Sequence, residues 1–306
     1  MNKEMDSKNM VLVTIGIPTY NRAHAFLRNA LSCAVNQTYK NLEIIVSDNC
    51  STDHTESLVR DFGDPRIRYI KHQKNIGANN NFNYCVNEAK GQYFVLLHDD
   101  DSIDDDFVEV CLNAVPVGEK VGVIFTGNRV IDGQGNVTSQ NYNRGAGRST
   151  EEFLIGWFKN DSSLYLCSTM FNTKRLQALG GFHSKTNHFQ DVVAEVILAF
   201  NYGRADVYDV KASFRRHSAN MGGDAARLRL WAQDCLYLMN LILKLATREK
   251  AQLRESGLGF FLRKNYSMAV TIEPPLKRWL ALMLLKVYFY NYHALPQKVS
   301  RRIGLG

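Results

Sequence analysis

Three carboxylates, Asp99, Asp100 and Asp101, directly follow the apolar run Tyr93–Leu97. Carboxylates packed at the end of a buried strand repel one another unless a cation neutralises them. Oxygen ligands of this kind suit Mg²⁺ or Mn²⁺, which usually keep waters and bridge to substrate phosphates. The triplet therefore predicts a divalent cation site. The alternative is a solvated turn or the start of the helix that follows.

Polar side chains also follow two earlier strand-like runs. The segment Pro18–Arg22 follows Val11–Ile17, and Asp48 follows Leu42–Val46. Ligands of open parallel α/β sheets bind beyond the carboxyl ends of the strands. Polar residues start many loops, so each strand end alone is a weak signal, but their coincidence at successive strands predicts one shared ligand site.

The elements that must position these residues alternate along the chain. Strand-like and helix-like segments alternate three times in the first hundred residues, which predicts βαβ units and a mostly parallel sheet. Another strand is expected at Val121–Thr126, and a hairpin or long loop at residues 127–149. Residues 127–165 carry no pattern that indicates a function. We expect one α/β domain over about residues 8–224 and a helical extension over about 225–306.

Composition narrows the class of protein. The chain has 306 residues, is 45% hydrophobic and 22% charged, and so is neither disordered nor fibrous. Residues 225–306 hold 14 basic and 4 acidic side chains, whereas the rest of the chain is nearly neutral. The six cysteines form no C-x-x-C pair, which favours a reduced, cytoplasmic chain without a zinc site. A polar N-terminus and the lack of an uncharged apolar run of 18 residues argue against secretion and a membrane span.

The ordered set of motifs resembles glycosyltransferase family two, the inverting GT-A enzymes that use nucleotide-diphosphate sugars. The resemblance covers residues 11 to about 110 closely and continues less closely to about 220. It implies a Rossmann-like, parallel-dominated mixed sheet. The motifs that carry it are Ile17–Arg22, Gln37–Tyr39, Glu43–Asn49, Ser51–Asp53, Asn75–Gly77 and Leu96–Asp101.

For the donor, the resemblance implies a nucleotide pocket at the first two strand ends. Pro18 and Tyr20 match positions that flank the nucleotide base, Tyr20 by stacking. Asp48 matches the carboxylate that accepts a hydrogen bond from uracil, and Asp99 matches the residue near the ribose. A uridine donor is expected from these matches. Phe82 stands where many members have an arginine, and the motifs do not identify the sugar.

For the metal and the acceptor, the resemblance implies four further residues. Asp100 matches the ligand for Mn²⁺ or Mg²⁺ in the D-x-D element, in which a histidine replaces the usual first aspartate. Asp191, which follows the Gly180–Phe182 motif, matches the general base; its alternative is a helix N-cap. Arg216 and His217 match a stretch that lies near the diphosphate, although a polar surface role for His217 is an equal alternative.

These expectations predict a metal-dependent inverting transferase that acts on a glycan or lipid-linked acceptor, in cell-surface polysaccharide synthesis. A non-catalytic nucleotide-sugar or glycan-binding module is the alternative, although such a module needs no base at Asp191. A glycoside hydrolase needs no nucleotide pocket, and a dinucleotide-binding dehydrogenase would need a G-x-G-x-x-G motif after the first strand. No nucleic-acid partner is expected, and a homodimer is left open.

The last segment, Pro275–Gly306, suggests a membrane surface as a partner. It contains no acidic residue, and aromatic and aliphatic side chains lie between its basic ones. An interfacial helix on anionic lipids at the inner face of the membrane satisfies both facts, whereas packing on the domain or on a second subunit is the alternative. The basic residues are Lys277, Arg278, Lys286, Lys298, Arg301 and Arg302.

Overall fold

The computed structural model describes residues 11–24, 26–162, 164–217 and 227–290. The first part of the chain alternates strands and helices, as predicted. The strands β1, β2, β3 and β4 are parallel to their neighbours and lie in the order β3-β2-β1-β4. The elements are β1 (Val13–Thr19), α1 (Leu27–Val35), β2 (Leu42–Asp48), α2 (Thr55–Arg60), β3 (Ile67–Lys71), α3 (Ala78–Glu88) and β4 (Tyr93–Leu96).

The second part extends this sheet with mixed strand directions. Strand β8 pairs antiparallel with β4 and β6, and β6 pairs parallel with β9, which gives the order β3-β2-β1-β4-β8-β6-β9-β5. Strand β7 pairs with β6, so residues 127–149 contain the hairpin that was one of two expectations. The elements are β5 (Ser102–Ile103), α4 (Phe107–Asn113), β6 (Val123–Ile131), β7 (Val137–Asn141), α5 (Thr150–Phe158), β8 (Thr169–Asn172), α6 (Thr173–Ala178), α7 (Gln190–Tyr202) and β9 (Arg204–Arg215).

The predicted strand ends lie at one edge of the sheet. Thr19, the last residue of β1, is in register with Asp48, the last residue of β2. Strand β4 runs parallel to β1, so the residues after it leave the sheet at the same edge. Strand β5, which follows the acidic triplet, pairs antiparallel with the end of β9.

Three helices complete the described chain: α8 (Leu228–Leu245), α9 (Lys250–Ala269) and α10 (Pro275–Tyr290). Their buried side chains belong to the same hydrophobic cluster as those of α5, α7 and one face of the sheet. A Cβ at Gly257 of α9 would lie 2.4 Å from the Met239 sulfur and 2.9 Å from the Phe158 ring, so α9 approaches α8 and α5 closely. The predicted boundary at residue 224 lies outside the described residues and stays a prediction.

None of the described helices has both the length and the apolar character needed to cross a membrane. Helix α10 buries Leu285 and Phe289 against the shared core, and it exposes other apolar side chains. Lys298, Arg301 and Arg302 of the predicted interfacial segment lie outside the described residues.

Candidate active site

The residues predicted to bind the nucleotide lie at the ends of β1 and β2. Asp48 is fully buried, and its Oδ1 accepts the backbone N–H of Ser51 at 2.8 Å while its Oδ2 accepts the Tyr69 hydroxyl. The Tyr20 ring directly after β1 is 45% exposed, and Pro18 lies within β1. Asp48 is therefore an oriented carboxylate at the end of β2, and Tyr20 is a partly exposed aromatic side chain at the end of the neighbouring strand. The support from Tyr69 was not predicted.

The acidic triplet is held by the end of β9. Asp101 is 1% exposed, and its Oδ1 accepts the backbone N–H of Arg215 at 2.9 Å. The Arg215 Nε donates to the backbone carbonyl of Asp100 at 2.9 Å. Burial raises the pKa of Asp99 to about 6. The Asp100 charge adds to this rise, whereas Arg22, whose Nε lies 4.0 Å from the Asp99 Oδ1, opposes it. Asp101 is thus a structural member of the triplet.

The donor atoms beside Asp100 fit a divalent cation. His98, Asp100 and Asp101 can each offer one ligand atom within 4.8 Å of the others, and the His217 Nε2 lies 2.9 Å from the Asp100 Oδ2. Burial favours a lower pKa at His98. The hydrogen bond with Asp101 and the negative charge of Asp101 outweigh burial and raise the pKa of His98 to about 9. Metal binding at His98 would require the loss of its proton. Asp100, with His98 and Asp101 in this group and His217 beside it, offers oxygen and nitrogen atoms that suit Mn²⁺.

The predicted diphosphate-side residues lie at the end of β9. The His217 ring packs on Phe26 with centroids 5.3 Å apart, and the Arg215 guanidinium lies 4.5 Å from the same ring. Arg216 is exposed between them. The structure thus brings His217 against the triplet. Arg215, which was not predicted as a site residue, makes the contacts that hold this strand end in place.

Helix α7 carries the predicted base. Asp191 lies in its first turn, but the N-cap residue is Phe189 and no side chain caps the helix, so Asp191 is not an N-cap. Burial raises the pKa of Asp191, whereas the charges of His98 and Lys264 oppose that rise. One turn later lies Glu195, whose pKa is raised to about 8 by burial and by the charge of Asp191. The pKa values of both carboxyl groups are therefore raised, and the charge of Asp191 contributes to the rise at Glu195.

Helix α9 adds a cation that was not predicted. The Lys264 Nζ lies 5.0 Å from the Phe189 ring centroid and 5.4 Å from that of Trp231. Lys264 is an exposed residue of α9, but desolvation of its ammonium group lowers the pKa of Lys264, and the charge of Asp191 opposes this. Lys264 and Asp191 are 73 positions apart in the sequence, and no motif joins them.

The Gly-Gly-Phe motif joins the two sides of the site. Gly180 and Gly181 have φ values of +86° and +85°, and a Cβ at Gly181 would lie 2.3 Å from the Asn83 Oδ1. That oxygen accepts the backbone N–H of Phe182 at 2.7 Å, and the Asn83 Nδ2 donates to the Phe182 carbonyl. Helix α3 thereby fixes the segment that leads to α7.

Comparison with known proteins identifies the family. The family model described as glycosyl transferase family 2 matches residues 14–178, which is more than half of the chain. The chain belongs to glycosyl transferase family 2. This membership confirms the family and the enzyme class predicted from the motifs.

Two curated relatives show how far the sequence similarity extends. The chain is 36% identical to the chondroitin synthase of Escherichia coli over 138 residues, which are 44% of this chain and 20% of that protein. It is 30% identical to a GalNAc(5)-diNAcBac-PP-undecaprenol beta-1,3-glucosyltransferase of Campylobacter jejuni over 173 residues, 54% of this chain and 55% of that one. The match therefore spans a fifth to about half of these relatives.

Solved structures confirm the fold. Staphylococcus aureus TarS residues 1–349, solved with UDP-GlcNAc, superposes with a TM-score of 0.67 over 94% of this chain and 83% of that one, at 14% identity. The mannosyltransferase PcManGT of Pyrobaculum calidifontis, solved with GDP-Man and Mn²⁺, superposes with a TM-score of 0.58 over 96% and 83%, at 18% identity. The GT-A sheet with C-terminal helices is thus confirmed, although at this identity the likeness concerns the fold alone.

Proposed function

We propose that this family 2 enzyme transfers a sugar from a uridine-diphosphate donor to a hydroxyl group of a glycan or lipid-linked acceptor, with inversion at the anomeric carbon. The observation that carries the proposal is that Asp48, the acidic triplet and His217 lie at one edge of the sheet. The charge of His98 also acts on Asp191, which relates the start of α7 to the triplet after β4. The residues that bind the nucleotide and the base Asp191 can therefore act on one donor and one acceptor in the same site.

The reaction uses these residues as follows. The Asp191 carboxylate takes the proton of the acceptor hydroxyl, whose oxygen forms a bond to the anomeric carbon from the side opposite the diphosphate. The bond from that carbon to the diphosphate oxygen breaks, and its electron pair leaves with UDP. Arg216 offsets the negative charge that develops on the leaving group, and His217 acts there through the cation that it would hold.

Asp100 and His217 would hold a divalent cation. Bound there, Mn²⁺ or Mg²⁺ would neutralise diphosphate charge. Asp101 contributes indirectly, because its hydrogen bond to the Arg215 backbone keeps the end of β9 against the triplet. Asp48 and Tyr20 bind the base, and Asp99 lies toward the ribose.

The relatives support the substrate classes. The names of two of them concern chondroitin synthesis and a glycosylated undecaprenol diphosphate, which favours polymer or lipid-linked acceptors in cell-surface polysaccharide synthesis. TarS was solved with UDP-GlcNAc, which favours uridine, whereas PcManGT was solved with GDP-Man. The donor base is therefore the first part of the proposal to test.

The test is a thermal-shift panel of UDP-, GDP- and dTDP-sugars with and without Mn²⁺. A ligand that binds the native state raises the melting temperature by mass action. We expect UDP-sugars to give the largest shift, and Mn²⁺ to increase it. The stabilising donor then enters a UDP-release assay with undecaprenyl-diphosphate oligosaccharides, and NMR of the product gives its anomeric configuration. A larger shift with GDP- or dTDP-sugars, or a retained configuration, would contradict the proposal.

We also propose that α10 binds an anionic membrane surface, at the inner face of the membrane. Leu276, Trp279, Leu280 and Val287 are all more than half exposed, and their spacing places them on one side of the helix. Lys277 lies at the same end of the helix, which contains no acidic residue. Aromatic and aliphatic groups beside cations suit the boundary of anionic lipid.

Co-sedimentation with phosphatidylglycerol vesicles tests this surface. The wild-type chain should pellet at low salt and be released as salt rises. The variant Leu276→Gln/Trp279→Gln/Leu280→Gln should stay in the supernatant, whereas Val117→Gln, which changes an exposed loop residue, should pellet like the wild type. Equal pelleting of the triple variant, or none by the wild type, would disprove the membrane proposal.

A further inference from the structure

Asp234 of α8 is a fully buried carboxylate that serves a segment outside its own helix. Its Oδ2 accepts the backbone N–H groups of His188 at 2.7 Å and Phe189 at 3.0 Å, as well as the Ser184 hydroxyl. Its Oδ1 accepts the backbone N–H of Thr186 at 2.8 Å. One side chain of the C-terminal helices thus binds the whole segment between the Gly-Gly-Phe motif and α7.

This segment determines where α7 begins. Phe189 is the N-cap residue of α7, and no side chain of the segment itself caps the helix. Backbone N–H groups at a helix start need an acceptor when they are buried. Asp234 supplies that acceptor from a neighbouring helix, directly before the turn that holds Asp191.

Other contacts of α8 fix the same segment. The Thr186 hydroxyl donates to the Leu230 carbonyl at 3.1 Å. The rings of His188 and Phe189 pack edge-to-face on Trp231, with centroids 4.8 Å and 5.1 Å away. Trp231 lies one turn before Asp234 on α8, so a single face of this helix holds the start of α7.

We infer that Asp234 is a positioning residue for sugar transfer, which holds the segment 184–189 so that Asp191 meets the acceptor hydroxyl. The inference rests on the proposed function, because it concerns the orientation of the proposed base. A base displaced by about 1 Å loses on the order of 100-fold in rate while the reactants still bind. Removal of Asp234 should therefore affect turnover and leave the donor pocket intact.

The chain contains a matched control for this effect. Glu151 of α5 is also buried, and its Oε1 accepts the backbone N–H groups of Thr247 and Arg248 in the loop between α8 and α9. Both carboxylates therefore join the C-terminal helices to the rest of the protein. Of these two carboxylates, Asp234 contacts the segment 184–189 and Glu151 contacts the loop between α8 and α9.

The experiment compares Asp234→Ala, Asp234→Asn and Glu151→Ala in the full chain. UDP affinity with Mn²⁺ is measured by calorimetry, and kcat by UDP release with the donor from the thermal-shift panel. We expect Asp234→Ala to lower kcat about 10- to 100-fold at unchanged UDP affinity, and Asp234→Asn, which keeps one acceptor oxygen, to recover most of the loss. Glu151→Ala should lower the melting temperature and retain kcat.

Hydrogen exchange gives a second measurement that needs no substrate. The amides of residues 184–192 should exchange faster in Asp234→Ala and remain protected in Glu151→Ala. If Asp234→Ala does not fold, Asp234→Asn and Ser184→Ala, which removes one of the bonds to Asp234, should show smaller effects of the same kind. Unchanged kcat in the folded Asp234 variants, or equal losses of kcat and UDP affinity, would overturn the inference.

The outcome for Asp191 separates this inference from the proposed function. If Asp191→Asn stops transfer and the Asp234 variants do not slow it, only the positioning role fails. If Asp191→Asn transfers sugar like the wild type, the assignment of the base fails.

Discussion

The donor and acceptor halves of the site obtain their rigidity in different ways. Asp48 ends one parallel strand, and Asp100 follows another. Ser51 donates a hydrogen bond to Asp48, and Arg215 donates one to the backbone of Asp100, so both carboxylates are held at the edge of the sheet. Asp191 starts a helix whose N-terminal segment is held by Asp234, more than 40 positions later in the chain. The donor half is thus part of the sheet, whereas the acceptor half depends on the docking of the C-terminal helices.

This difference has an energetic consequence. Strand ends move only if the sheet itself is disturbed, because every strand there pairs with its neighbours. The segment 184–189 has no strand or helix of its own, and three of its backbone N–H groups donate to one carboxylate. Changes in α8 and α9 should therefore affect transfer more than donor binding.

The largest expected effect on donor binding is on its metal-dependent part. Asp100→Ala removes the carboxylate that lies 2.9 Å from His217. The affinity for UDP in Mn²⁺ should fall at least about 10- to 100-fold, since even indirect partners of a metal contribute that much. Calorimetry with and without Mn²⁺ measures the effect. Equal affinity of the variant and the wild type in Mn²⁺ would contradict the metal assignment.

Asp48→Ala should weaken donor binding in a different manner. The loss of a charged hydrogen-bond partner should cost about 1–3 kcal/mol in UDP affinity. The cost should be the same with and without Mn²⁺, because Asp48 lies in the base pocket. As a control, Tyr69→Phe removes one support of Asp48 and should cost less. A preference for another base that Asp48→Ala does not alter would disprove the uridine assignment.

Lys264→Met should shift the pH dependence of transfer. Burial raises the pKa of Asp191 and the Lys264 charge opposes that rise, so loss of the charge raises the pKa further. Because the base must be ionised, the acid limb of kcat should move to higher pH. Arg263→Met, which removes the neighbouring cation on α9, should leave the limb in place, because the charge that acts on Asp191 is that of Lys264. An unchanged profile in Lys264→Met would show that α9 does not tune the base.

The smallest effect concerns the stability contributed by Glu195. Its pKa is raised from 4.5 to about 8, so its stability contribution is present below the unfolded pKa and is lost as pH rises through the folded one. Glu195→Gln should gain stability relative to the wild type between these two pH values, as measured by urea unfolding. Glu151→Gln should change stability with pH in the opposite direction. Burial favours a raised pKa at Glu151, but its hydrogen bonds outweigh burial and lower the pKa. That variant should lose stability at neutral pH and approach the wild type in acid.

The same contrast explains what the sequence could predict. The donor residues stand in short motifs after apolar strands, so their type and position indicated both the strand ends and the shared site. The prediction for Asp191 came from the motif before it. Asp234 and Lys264 were missed, because their contacts cross large sequence distances that no local pattern records, and Glu195 was missed because no motif includes it.

The fold was predicted unevenly for physical reasons. The βαβ region has clear strand runs and helical spacing, and β1 and α1 appeared as expected. Helix α5 was not predicted, because seven of its nine residues are buried and no polar face marks the helical period. Strand β8 has four residues, all buried, which is too short for an alternating pattern. Both elements were missed because they are buried on nearly all sides and carry no periodic pattern.

The central claim is that binding and transfer are separable functions of the two halves. Asp191→Asn keeps the size of the side chain and loses the ability to take a proton. Transfer should fall about 100-fold or more, while calorimetry of UDP with Mn²⁺ gives the affinity of the wild type. Turnover comparable to the wild type, or a loss of UDP affinity that parallels the loss of transfer, would contradict the account.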